Sequence, residues 1–244
     1  MASAEIPKRI IESHTIYSAH LSEERNIKVF LPPQFNPADH YPVLYCHDGN
    51  EFLTHGRIAT IANQIIFEGR LRPIIIVLIA VSHAHRMDDY ALYGARNDAY
   101  ISFVLDECLP FVENHYPVAT DLSGRFMAGI SLGGVVSLEI YIRRPDLFSN
   151  LLLFSGAYYQ NVKNRVEKLS EANDLDAFMV VGKQERVVKT DHGVYDFYTA
   201  NRIVRDLLVT RGAKIEYKEA DGQHVWGFWQ SQLPDALNWL TQRM

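Results

Sequence analysis

The run Arg125-Phe126-Met127-Ala128-Gly129-Ile130-Ser131-Leu132-Gly133-Gly134-Val135-Val136-Ser137-Leu138-Glu139-Ile140-Tyr141-Ile142-Arg143 changes its period in the middle. Residues 125–130 are a short, mostly apolar run that reads as a strand. From Leu132 the apolar positions recur at helical spacing, and Pro145 closes the segment. Ser131 therefore falls on a strand-to-helix turn. A bare Gly-x-Ser-x-Gly arises by chance in roughly one chain in ten of this length, so its setting carries the argument. On such a turn a serine is forced into a strained conformation, and its neighbours must be small. Glycines at 129, 133 and 134 remove the side chains that would collide there. The hydroxyl then projects past the sheet at the amino end of a helix, whose dipole favours developing negative charge. These features predict a nucleophile.

Outward from that turn, strands and helices alternate. Apolar and polar residues alternate over 9–17 and 26–31, which predicts two half-buried strands, the second stopped by Pro32-Pro33. Residues 41–47 and 73–81 are apolar runs, with a helical pattern over 58–67 between them. A long amphipathic helix is predicted over 99–115. Short strands follow at 151–154 and 178–181, separated by a polar excursion with weak helical character. A helix over 195–211 ends at Gly212, a strand covers 215–219, and a helix over 228–240 ends the order. This alternation specifies a mostly parallel central sheet with helices on both faces, and one domain over 1–244 suffices. In such sheets the reactive groups lie at the carboxyl ends of the strands.

The composition narrows the function classes. Of 244 residues, 48% are hydrophobic and 22% charged, the balance of a folded domain and not of a disordered chain. Lys and Arg number 24 against 29 Asp and Glu, a net charge of −5, so bulk charge argues against nucleic-acid binding. No apolar run is long enough for a membrane span, and the first residues lack the apolar stretch of a secretory signal. Cys46 and Cys108 are the two cysteines; without an export signal they are expected as reduced, partly buried thiols, which points to the cytoplasm. They form no Cys-x-x-Cys pair, so no zinc knuckle is expected.

A serine hydroxyl needs a base. His224 follows the strand over 215–219 and comes after Ser131 in the chain, which makes it the best of ten histidines. The base needs an acid to accept from its other nitrogen. The strand over 178–181 runs into Gly182-Lys183-Gln184-Glu185, so Glu185 is the first choice, with Asp191 next and Asp196 after it. For the oxyanion, the backbone amide of Leu132 is one donor, and the turn His47-Asp48-Gly49-Asn50 supplies the other at the Asn50 amide.

The chain resembles the esterase D/enterochelin-esterase type of α/β-hydrolase. The matching stretches are residues 43–49, 103–116, 126–134, 181–185 and 222–229, spread over nearly the whole chain. The resemblance implies the α/β-hydrolase fold, triad roles for Ser131, Glu185 and His224, and oxyanion amides at Asn50 and Leu132. It implies a serine hydrolase acting on small-molecule carboxylic esters, with no cofactor and no metal. Carboxylesterases, siderophore-lactone hydrolases, thioesterases and acyltransferases all occur in the family, so the substrate does not follow from membership. An acyltransferase using the same acyl-enzyme is the main alternative, and a non-catalytic binding protein on the same fold is the last.

Other signals are weaker. His83 and His85, with Asp88 or Asp89, could begin a metal site but are read as a polar loop at the rim. Tyr90, Tyr93, Tyr100, Tyr158 and Tyr159 could wall a pocket or pack in the core. Arg57, Arg86 and Arg96 could favour an anionic substrate but are read by default as solvated, and Trp226 and Trp229 as braces beside His224. An exposed strand edge or helix could pair two copies into a homodimer.

Overall fold

Side chains at alternate positions of a strand point to opposite faces, and here both faces are covered. The computed structural model describes residues 5–191 and 193–244. In chain order it runs β1 (Ile10–Ser18), β2 (Glu23–Leu31), β3 (Val43–Cys46), α1 (Gly49–Thr54), α2 (Ile58–Phe67) and β4 (Ile75–Ile79). After α3 (Arg86–Tyr90) comes a helical run made of α4 (Asn97–Ser102), a π-helical segment (Phe103–Cys108) and α5 (Leu109–His115). Then follow β5 (Arg125–Ile130), α6 (Leu132–Arg143), β6 (Asn150–Phe154), α7 (Gln160–Glu167) and β7 (Asp176–Gly182). The chain closes with β8 (Val188–Thr190), β9 (Gly193–Tyr195), α8 (Phe197–Thr210), β10 (Lys214–Ala220) and α9 (Trp226–Thr241).

Eight strands form one sheet in the order β1-β2-β4-β3-β5-β6-β7-β10. The pairs β1/β2 and β2/β4 are antiparallel and the rest are parallel. Val43, Tyr45, Val77 and Met127 point to one face, where Tyr100, Phe103, Val135, Leu138, Val162 and Val204 cover them. Leu44, Cys46, Ile76, Leu78 and Phe126 point to the other, under Phe52, Ile58, Ala62, Leu233, Leu237 and Leu240. This is the mostly parallel, doubly covered sheet that the alternation predicted, as the resemblance to α/β-hydrolases also implied.

The single helix expected over 99–115 is interrupted by the π-helical turn. Pro110 lacks an N–H for Asp106 O, and its ring would crowd that carbonyl in a regular α-helix. Widening the preceding turn relieves this crowding without ending the helix. The short hairpin β8/β9 escaped the sequence reading, because strands of three residues show too little periodicity. Cys46 and Cys108 are both free and buried. Among the described residues no helix is long and apolar enough to cross a membrane.

Candidate active site

Ser131 joins β5 to α6 with φ 57° and ψ −116°, a backbone state that few non-glycine residues adopt. Two bonds hold this bend: Ser131 N–H donates to Phe154 O at 2.9 Å, and Ala157 N–H donates to Ser131 O at 3.0 Å. The approach of α6 to β5 explains Gly129, since a Cβ there would lie 2.0 Å from Gly133 O. Leu132 opens α6, so its amide is one of the first-turn donors without an intrahelical acceptor.

The other groups come from neighbouring strand ends. His224, in the loop after β10, places Nε2 3.1 Å from Ser131 Oγ. Its Nδ1 lies 2.7 Å from Glu185 Oε2. A carboxylate accepts, so Nδ1 carries the proton and Nε2 is left to accept from the serine. Glu185 is fully buried just beyond β7. Its Oε1 accepts from Gly182 N–H at 2.8 Å and from Ser155 Oγ at 2.7 Å, so the buried oxygens are satisfied. The His224 ring is packed between Phe197, centroid 4.0 Å away, and Trp229, at 4.8 Å and nearly perpendicular.

Of the other acid candidates, Asp191 is exposed in the turn between β8 and β9. Asp196 caps α8, accepting from Thr199 N–H at 2.8 Å. Neither bonds His224. Ser155 was not singled out as a site residue, whereas Trp229, expected as a brace beside His224, also donates from Nε1 to Ser155 Oγ at 2.9 Å. The one available hint to Ser155 was its position at the end of β6, where the strand-end rule places reactive groups.

A cleft of about 480 Å³ opens beside Ser131. Ile130, Val225, Trp226 and Trp229 make its apolar side, and Asp48, Glu51, His83 and Arg86 its polar side. Arg86, expected as a solvated residue, grips Asp48 through both carboxylate oxygens at 2.7 and 2.8 Å. Burial works against the Arg86 charge, but the Asp48 carboxylate outweighs it and raises the guanidinium pKa further. Asp48 is itself in the left-handed region, φ 54°, and its N–H donates to the Tyr90 hydroxyl at 3.0 Å. The turn that leads into α1 is thereby locked to the loop after β4.

That loop is fastened in turn by buried charges. Arg25 donates to Asp89 Oδ2 at 3.0 Å and to Ala80 O at 3.0 Å, while Arg96 donates to Asp89 Oδ1 at 2.8 Å. Removing one member of a buried pair strands the other. Arg86→Met should therefore lower the unfolding free energy by about 3 kcal/mol. Urea denaturation followed by circular dichroism measures it, and a loss within the error of the wild-type midpoint would refute the lock.

Asn50 is the second residue of α1, and its backbone lies in the same first turn as the cleft-lining Asp48 and Glu51. Its side chain turns the other way, accepting from Lys28 Nζ at 3.1 Å and lining a separate hollow with Glu23 and His85. Gly49 is needed there because a Cβ would lie 2.2 Å from the Leu78 carbonyl carbon. His47, buried and 2.8 Å from the Tyr100 hydroxyl, has its pKa pushed down to about 3 by burial and by Arg86. It stays neutral at any ordinary pH.

His83 and His85 do not converge. His83 pairs with Glu51 at 3.1 Å at the cleft rim, His85 faces the separate hollow, and Asp89 is held by two arginines. Among the described residues no three His, Cys, Asp or Glu side chains gather as a metal site. Tyr90, Tyr100 and Tyr158 are core residues, whereas Tyr93 is largely exposed. Tyr159 is partly buried and packs against Tyr195, with ring centroids 4.4 Å apart and the rings tilted by 43°.

Comparison with known proteins places the chain in a family. A family profile described as "Putative esterase" matches residues 18–240. Uncharacterized protein YjcH of Bacillus subtilis is 28% identical over 229 residues, which cover 93% of this chain and 95% of that protein. Among solved structures, a ferulic acid esterase superposes with a TM-score of 0.83 at 20% identity, over 97% of this chain and 100% of its own. The enterobactin esterase of Shigella flexneri gives 0.83 at 20% identity over 98% of this chain, which spans only 61% of that larger protein. At such identities the superpositions establish a shared fold. The profile match over nearly the whole length goes further: the chain belongs to that esterase family and is a carboxylesterase-type hydrolase of the α/β-hydrolase fold.

Proposed function

We propose that the protein hydrolyses small-molecule carboxylic esters through an acyl-enzyme on Ser131, with His224 as base and Glu185 as the acid that orients it. The observation that carries this is a single imidazole bonded to Ser131 Oγ at 3.1 Å and to a buried Glu185 at 2.7 Å. His224 Nε2 takes the Ser131 proton as Oγ forms a bond to the ester carbonyl carbon. The tetrahedral oxyanion is held by the Leu132 amide and a first-turn amide of α1, assigned to Asn50. The imidazolium then gives its proton to the departing alkoxide, and the C–O ester bond breaks. Water repeats the cycle: His224 removes its proton, the acyl carbon is attacked, and the acid product leaves Ser131 with its proton restored.

This chemistry draws on no cofactor, and one α/β-hydrolase domain supplies every group. The apolar side of the cleft suits an acyl or aryl portion, and the polar side a hydroxyl-bearing alcohol. Two neighbours that share the fold are named a ferulic acid esterase and an enterobactin esterase, which supports an ester as substrate. A fluorophosphonate probe tests the nucleophile directly. The intact mass should rise by one phosphonyl group, and the labelled peptide should be the one containing Ser131. Labelling elsewhere, or none in folded protein, would overturn the assignment.

A further inference from the structure

We infer that Ser155 and Trp229 are positioning residues for this reaction: together they fix the Glu185 carboxylate that orients His224. The inference rests on the triad reading above and adds two residues that do not touch the substrate's reacting atoms.

Hydrogen-bond bookkeeping gives the chain of bonds a single direction. The Trp229 indole nitrogen is a donor only, so at 2.9 Å it occupies an acceptor position on Ser155 Oγ. Ser155 has one proton, and its oxygen lies 2.7 Å from Glu185 Oε1, which accepts. The proton therefore goes to the carboxylate. Gly182 N–H donates to the same oxygen at 2.8 Å, leaving Oε2 for His224 Nδ1–H. Every donor along the line points toward Glu185, and the carboxylate as oriented accepts all three bonds at once.

The backbone is built to hold this arrangement. Ser155 sits at φ 45°, in the left-handed region that a serine enters only when its surroundings require it. Its N–H donates to Val180 O at 2.7 Å. The next residue is clamped by buried Asn201, which accepts from Gly156 N–H at 3.0 Å and donates to Gly156 O at 2.9 Å. Ser155 is fully buried and Trp229 nearly so, and water therefore does not compete for these bonds. Trp229 also packs edge-on against the His224 ring, so one side chain steadies both the base and the support of its acid.

The test is a cycle of variants with 4-nitrophenyl acetate as the ester. Ser155→Gly removes the hydroxyl while suiting the left-handed backbone. It should lower kcat about 10–100-fold with KM changed less than about twofold, the scale of a lost charge-assisted hydrogen bond or a small misplacement. Trp229→Phe keeps an aromatic ring beside His224 and removes the indole N–H together with part of the bicyclic ring; it should lower kcat about 3–10-fold, the smaller effect of a neutral hydrogen bond. Because Trp229 acts through the hydroxyl, the double variant should match Ser155→Gly alone. A purely structural role predicts a lower unfolding midpoint with kcat preserved, and that result would overturn the inference. So would additive losses in the double variant. If Ser155→Gly does not fold, Trp229→Phe decides: an unchanged kcat refutes the proposal. Failure of the triad reading looks different, since Ser131 would then escape phosphonylation in the wild-type protein.

Discussion

Ser131→Ala should lower kcat for 4-nitrophenyl acetate by about 10⁶-fold, and His224→Gln should do nearly the same. The size follows from the shared path of the two groups. Without Oγ there is no atom to form the acyl bond, and the imidazole has no proton to take at 3.1 Å. Without the imidazole the hydroxyl stays protonated and is a weak nucleophile. The double variant should thus be little worse than either single one, because each already removes the whole nucleophilic route. What survives is the pull of the oxyanion amides on bound ester, about 10³–10⁴ over water. The unfolding midpoint should stay close to wild type for Ser131→Ala, although relief of a strained φ of 57° is not expected from alanine either. Turnover above about 1% of wild type in protein that no longer takes up fluorophosphonate would place the chemistry elsewhere.

The elements that could be read from the sequence were those with a strong local period. The observed β5, Arg125–Ile130, and α6, Leu132–Arg143, fall where the change of period placed them, and so does α2, Ile58–Phe67. Ser131 and His224 were legible because a turn between two such elements, and a loop after a strand, are local features. The supports of the site are different in kind. Arg86 reaches Asp48 across 38 residues, Trp229 reaches Ser155 across 74, and Ser155 reaches Glu185 across 30. Such pairings arise only when the sheet order brings strand ends together, and no spacing in the chain encodes them. For the same reason Arg86 and Arg96 looked like solvated surface residues, yet both are committed to buried carboxylates. Pro110 carried a local signal for the π-helical turn, but amphipathic spacing on either side concealed it.

Glu185→Gln should lower kcat by about 10⁴-fold with little change in KM, and the reason is the orientation of an amide. Glutamine has one acceptor oxygen and one donor nitrogen where glutamate has two acceptors. The Oε1 position receives two protons, from Gly182 N–H at 2.8 Å and from Ser155 Oγ at 2.7 Å. The amide oxygen must therefore take that place. Its NH₂ is then turned to His224 Nδ1, 2.7 Å away in the wild type, and can be accommodated only if Nδ1 becomes an acceptor. The imidazole is forced into the tautomer with its proton on Nε2, which cannot accept from Ser131. The volume and the packing around the buried side chain are unchanged, so the protein should fold normally and still bind ester. Fluorophosphonate labelling of Ser131 should slow by a similar factor, since it depends on the same proton transfer. Asp191→Asn, in the exposed turn between β8 and β9, is the matched control and should leave turnover within about twofold, as surface substitutions usually do. A Glu185→Gln enzyme that loses less than about tenfold would mean that His224 finds its tautomer without this carboxylate, and the acid would have to be sought elsewhere.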